Sequence, residues 1–168
     1  MCGIVGIIGD IKDRDIKWLS KAALNLKHRG PDASSSWISP VRNAVFAHRR
    51  LSIIDTGHAS DQPFVSDDGK LVLVFNGEIY NYLELRAKLI SLGESFKTQG
   101  DTEVLLASYR RWGNECLNHL NGMFAFAIWD QRRGVGRERL FVARDRSGEK
   151  PFYYRHEAGR FEFASELK

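Results

Sequence analysis

The chain begins Met1-Cys2-Gly3, and Cys2 carries the most chemistry of any residue in it. A small residue after an initiator Met normally allows that Met to be trimmed. Cys2 would then bear both a thiol and a free α-amine. Such an amine titrates near ~7.7–8, so part of it is unprotonated at neutral pH. It can take the thiol proton directly or through one water, which is the arrangement of a nucleophile beside its own base. Taken by themselves, these residues fit better a small buried side chain at the start of the apolar run Ile4–Ile8. With Met1 attached, the Cys2 nitrogen is an amide with no basic lone pair, so the nucleophilic reading requires Met1 to be absent.

Other polar residues are set at structural punctuation points. Asn76-Gly77-Glu78 follows the apolar run Leu71–Phe75. Asn offers a fixed NH₂ donor and Gly lets a backbone approach a ligand closely, yet the pair also reads as a hairpin turn. Here it breaks the strand, and a helix start follows it. Arg49 and Arg50 are adjacent, so a strand sends them to opposite faces; Arg49 is read as a surface arginine. Asp101 reads as a helix cap, His48 as a satisfied core histidine, and Cys116 as a small buried side chain. Tyr80, Tyr153 and Tyr154 read as packing residues. The five histidines have no metal-ligand spacing and there is no Cys/His cluster, so no metal site is expected.

These residues need a scaffold, and the chain is long enough for one domain with its own core: 168 residues, 43% hydrophobic and 27% charged. A net charge of +4 without a polybasic tail argues against a nucleic-acid partner, and the arginines from Arg132 to Arg139 read as a solvated hairpin. Two cysteines make no disulfide framework. Without a signal peptide or a long apolar run, the expected location is cytoplasmic, with no membrane partner.

The pattern predicts a buried strand over Ile4–Ile8 and a helix capped by Asp13 or Asp15, with Ile16, Leu19, Ala23 and Leu26 inward. Strands follow near Ser34–Ser39 and Asn43–His48. A hairpin turn at Asp67-Asp68-Gly69 leads into Leu71–Phe75. Asn81 with Glu84 reads as a capping box for a helix carrying Leu85, Leu89 and Leu92 inward and stopping at Gly93, and Asp101 opens a third helix that stops at Gly113. Strands then fall at Met123–Trp129, Leu140–Ala143, Phe152–Arg155 and Phe161–Ala164. Leu71–Phe75 and Met123–Trp129 do not alternate, so both of their faces need cover. Hairpin connections make antiparallel sheets. Together these predict two antiparallel sheets packed on each other between helices, an α+β helix–sheet–sheet–helix sandwich.

The segments MCGIVGI, HRGPD, HRRLSIID, FNGEIYN, QGDTEVLL, LNGMFAFAIWD and ARDRSGEKPFYY, in this order, resemble the N-terminal class II (Ntn-type) glutamine amidotransferase domain of glutamine-hydrolysing asparagine synthetases. The resemblance spans residues 1–168 and implies a four-layer αββα fold. It implies that Cys2 attacks the side-chain amide of L-glutamine to form a γ-glutamyl thioester. Its α-amine acts as base, and water then releases glutamate. Asn76 and the Gly77 N–H would hold the oxyanion. Arg50 would bind the substrate carboxylate, Glu78 and Asp101 its ammonium, and the stretch Arg50, Leu51, Ser52, Ile53 and Ile54 would line the pocket. HRGPD would shape and close it. Ser35 and Ser147 depart from the family pattern.

The same resemblance implies a parent in which a synthetase domain, expected to be absent from this chain, uses ATP and magnesium to turn aspartate into asparagine. No cofactor is expected in residues 1–168, and a homodimer is left open. Two alternatives remain: the same glutaminase with a different ammonia acceptor, such as a carboxylated sugar, and a non-catalytic regulatory or assembly domain.

Overall fold

Strands that are apolar on both faces are stable only when covered on both. The computed structural model, which describes residues 1–53 and 57–167, meets that demand with two stacked antiparallel sheets. The first contains β1 (Gly3–Ile8), β2 (Ala33–Ile38), β3 (Ala44–Arg50), β8 (Tyr153–Glu157) and β9 (Arg160–Ala164), in the order β2-β3-β1-β9-β8. The second contains β4 (Phe64–Val65), β5 (Leu71–Ile79), β6 (Gly122–Asp130) and β7 (Arg139–Arg144), in the order β4-β5-β6-β7. Helix α1 (Asp13–Asn25) covers the first sheet, and α2 (Tyr82–Ser91) and α3 (Asp101–Trp112) cover the second.

Three apolar layers separate the four structural ones. Alternation along β1 assigns Val5 and Ile7 to α1, where they meet Leu19, Ala23 and Leu26. Ile4 turns the other way, to meet Phe46, Val72, Val74, Ala127 and Phe163 between the sheets. Leu71, Leu73, Phe75 and Ile79 face Leu85, Leu89 and Leu105 beneath α2 and α3. The four-layer αββα sandwich follows directly from the doubly apolar strands.

Several local expectations are corrected. Asn76-Gly77-Glu78 does not break the strand. β5 runs on to Ile79 and pairs with β6 throughout, Asn76 opposite Ala125, Gly77 opposite Phe124 and Glu78 opposite Met123. A long ladder overrides the local turn preference of Asn-Gly. Glycine is needed at position 77 because a Cβ there would lie 2.2 Å from the Met123 carbonyl oxygen. Arg49 is buried rather than on the surface, because β3 lies between β1 and β2. Asn81 precedes α2 without capping it; its amide instead bridges the His119 carbonyl and the Asn121 N–H. Lys12 and Gly100, not Asp13 and Asp101, precede α1 and α3, and Asp15 reaches back to the Lys12 N–H at 2.8 Å. Tyr80 and Tyr153 are exposed rather than packed, as is Leu92 at the end of α2, whereas Tyr154, though exposed, stacks on Phe161. Cys116 and His48 are buried as expected. No helix among the described residues is long and apolar enough to cross a membrane.

His48 ties the two sheets together. Its Nε2 lies 3.1 Å from the Phe75 carbonyl on β5; a carbonyl only accepts, so Nε2 carries the proton. Burial pushes its pKa down to about 4, with the Phe75 bond partly opposing the shift. The ring is neutral in the fold, while an unfolded chain takes up a proton below pH ~6.5. Its contribution is therefore intact above that pH and falls away as pH drops toward 4, by ~1.4 kcal/mol per unit. His48→Gln should narrow its stability deficit against the parent chain as pH is lowered from 7 to 4.5, as read by urea denaturation at each pH.

Candidate active site

Cys2 sits at the entrance of β1, where three separate segments hold it. The Leu51 N–H donates to its Sγ at 3.4 Å, and the thiol lies 3.7 Å from the Leu51 carbonyl. The Arg29 Nε donates to the Cys2 carbonyl at 3.0 Å. Two residues on, Ile4 exchanges hydrogen bonds with Ser165. Burial pushes the thiol above its ordinary value. The Leu51 N–H, the amino-terminal charge and Arg50 pull it down, and Asp101 adds to the rise.

The His28–Asp32 loop arranges this corner. His28 Nε2 and Arg29 Nη1 both reach Glu166 Oε1, at 2.8 and 3.1 Å. Gly30 passes so near β3 that a Cβ would lie 2.3 Å from the Arg49 carbonyl oxygen. The Asp32 N–H donates to the Arg50 carbonyl at 3.0 Å, and its carboxylate accepts the Ser52 N–H at 2.8 Å. The loop therefore fixes residues 50–52, and these in turn fix Cys2.

Across the gap lies the outer edge of β5. Asn76 is only 1% exposed, yet neither its Nδ2 nor its Oδ1 has a hydrogen-bond partner. Most buried polar groups are paired, so an orphaned amide needs a reason. Asp101, in the first turn of α3, accepts the Ile79 N–H at 3.0 Å. Burial raises its pKa to about 6 and the Glu78 charge adds to this, against the pull of the Ile79 N–H. A carboxyl raised in this way disfavours the fold as pH climbs through 6 and it ionises; a cation placed beside it would reverse that.

One cavity of about 240 Å³ joins the two sides. Cys2, Asn76, Gly77, Glu78 and Asp101 line it, as do Arg50, Leu51 and Ile53. Ser52 does not line it and instead makes the bond to Asp32 just described; Ile54 lies outside the described residues. Arg50 is already engaged, its Nη1 donating to Asp61 Oδ1 at 2.7 Å and to the Gly57 carbonyl at 2.8 Å. Sequence reasoning missed Gln62, Thr102, Met123 and Lys150, which complete the wall together with Met1 and Phe75. Lys150 is buried, and its Nζ donates to the Met1 sulfur at 3.4 Å. Its place in the ARDRSGEKPFYY segment was the available signal. Nothing local distinguishes Gln62.

The two thiols should separate by reactivity. With Met1 in place, iodoacetamide should label Cys2 along a titration whose midpoint lies above the ordinary thiol range. Cys116, fully buried and pushed up to about 12, should stay unlabelled until the protein unfolds. Peptide mass mapping across a pH series reads both.

Residues 1–168 match the family model described as "Glutamine amidotransferase domain". The chain is 39% identical over its full length to Asparagine synthetase [glutamine-hydrolyzing] 3 of Bacillus subtilis, covering 27% of that protein. It is 48% identical over 89% of its length to a putative asparagine synthetase [glutamine-hydrolyzing] of Mycobacterium bovis, covering 24% of it. It thus spans about a quarter of the length of these relatives. Among solved structures, glutamine phosphoribosylpyrophosphate amidotransferase from B. subtilis superposes with a TM-score of 0.75 at 24% identity, over 98% of this chain and 42% of that one, which shows a shared fold. With its whole length matched by the family model and its sandwich matched by that structure, the chain belongs to the glutamine amidotransferase domain family.

Proposed function

We propose that this chain hydrolyses the side-chain amide of L-glutamine through a thioester on Cys2, and that the ammonia serves asparagine synthesis in a longer parent. The orphaned amide of Asn76, buried in the same cavity as the Cys2 thiol, carries the reading. Substrate turnover supplies the partner it lacks.

The steps follow from the groups present. The α-amine of Cys2, exposed once Met1 is removed, takes the thiol proton, and Sγ attacks the amide carbon. The oxyanion that forms is held by Asn76 Nδ2 and the Gly77 N–H. The C–N bond then breaks, the protonated amine gives its proton to the leaving ammonia, and a γ-glutamyl thioester remains. Water, deprotonated by the same amine, cleaves the thioester to glutamate and restores the thiol. At the far end of the substrate, Asp101 and Glu78 supply negative charge for its ammonium. Arg50 faces its carboxylate; a guanidinium has five N–H donors, so bonds to Asp61 and Gly57 are compatible with that task.

The acceptor of the ammonia is proposed from the relatives, which are named as glutamine-hydrolysing asparagine synthetases. In this reading ATP, magnesium and aspartate belong to the part of such proteins that residues 1–168 do not span, and the setting is cytoplasmic.

Glutamate release assayed on the chain with Met1 removed tests the proposal. Cys2→Ala should abolish release, and Asn76→Ala should lower kcat on the order of 10²–10³-fold. Release that survives Cys2→Ala would refute the reading. The two ends of the substrate separate kinetically. Asp101→Asn should raise KM for glutamine more than it lowers kcat. In the parent chain KM should rise as pH falls through about 6, where Asp101 gains its proton, and that rise should vanish in Asp101→Asn. A fall in kcat at unchanged KM would contradict the assignment.

A further inference from the structure

We propose that Gln62 is a positioning residue for the anion-binding edge of β5, acting on Asn76 and Gly77 through the backbone of Phe75. The proposal rests on the reading of Asn76 and Gly77 as oxyanion donors. β4 pairs only with Val72 and Leu73, so beyond Leu73 the outer edge of β5 has no strand beside it. Backbone groups of alternate residues point to that edge. The Phe75 N–H donates to Gln62 Oε1 at 2.6 Å, the Phe75 carbonyl accepts from His48, and the Ile79 N–H donates to Asp101. Tyr80, one residue out of phase, donates instead to Asn121, beside β6. The same alternation sends the Gly77 N–H to the outer edge, midway between the two side-chain acceptors, where it faces the cavity that Gly77 lines.

Gln62 is built to hold this edge. It is buried, its Nε2 lies 3.5 Å from the Thr102 hydroxyl on α3, and its own carbonyl accepts the Ser35 hydroxyl. The Gln62 backbone is thus held to β2 and its side chain to α3, while the side-chain oxygen meets the N–H immediately before Asn76. It fixes where the Asn76 amide and the Gly77 N–H stand relative to Cys2. Donor position matters most when charge develops on the oxyanion, so its loss should appear in kcat rather than in glutamine binding.

The test compares Gln62→Met, similar in size but without a carbonyl acceptor, with Gln62→Glu, which keeps one. Both are assayed on the chain with Met1 removed, beside Asn76→Ala. Gln62→Met should lower kcat by about ten- to a hundredfold, leave KM within about twofold, and leave the Cys2 alkylation rate unchanged. Gln62→Glu should keep kcat within about threefold of the parent. If Gln62→Met does not fold, Gln62→Asn withdraws the acceptor by one methylene and should show the same split. The proposal is overturned if kcat is unchanged, if KM moves together with kcat, or if Gln62→Glu falls as far as Gln62→Met. If Asn76→Ala lowers kcat while Gln62→Met does not, only the role of Gln62 fails. If Asn76→Ala is also silent, the oxyanion reading fails with it.

Discussion

Past Leu73 the outer edge of β5 has no neighbouring strand, and its backbone groups must find partners elsewhere or stay unpaired. A buried N–H left without an acceptor costs about 1–3 kcal/mol, so such an edge is costly unless other elements close it. Three different elements do so: Gln62 ahead of β4, His48 from β3 in the opposite sheet, and Asp101 from α3. Each bond fixes one element against β5. The sandwich, the seating of α3 and the course of the chain into β4 therefore converge on residues 75–79. The Asn76 amide stays without a partner there, beside Gly77, and in the proposed function these two groups hold the oxyanion.

Cys2 belongs to the other sheet, at the entrance of β1. Cys2 is set by Leu51 and by Arg29, whose loop also anchors to Glu166 near the far end of the chain. The distance between the thiol and the outer edge of β5 is thus a property of the apolar layer between the sheets, where Ile4 and Phe46 meet Val72 and Val74. Close-packed layers of this kind change spacing reluctantly, and the neutral His48–Phe75 bond pins the layer beside the site. A glutamine amidotransferase domain can in this way carry its chemistry on two sheets without a hinge between them.

Much of this was legible in the sequence. The unalternating Leu71–Phe75 and Met123–Trp129 required cover on both faces, and that requirement led to four layers. The motif segments led to ten candidate site residues, and eight of them, Cys2, Asn76, Glu78 and Asp101 included, line one cavity. What failed was local. Asn76-Gly77 looked like a break because turn chemistry is a nearest-neighbour property, whereas β6 supplies the pairing from almost fifty residues away. Arg49 looked exposed because a single charged residue does not reveal that its strand is internal. Asn81 and Asp101 looked like caps, but both spend hydrogen bonds on distant segments. Gln62 gave no local sign because its place in the cavity arises only when the sheets stack, and Lys150 was signalled only by its motif segment.

The central claim is that Cys2 takes the acyl group of glutamine while Asn76 and Gly77 hold the charge. Acid quenching of the chain during turnover, followed by peptide mass mapping, tests it directly. A γ-glutamyl group should be found on Cys2, in an amino-terminal peptide that lacks Met1. Glutamate formed without any adduct on Cys2, or an acyl group found on Cys116 instead, would contradict it.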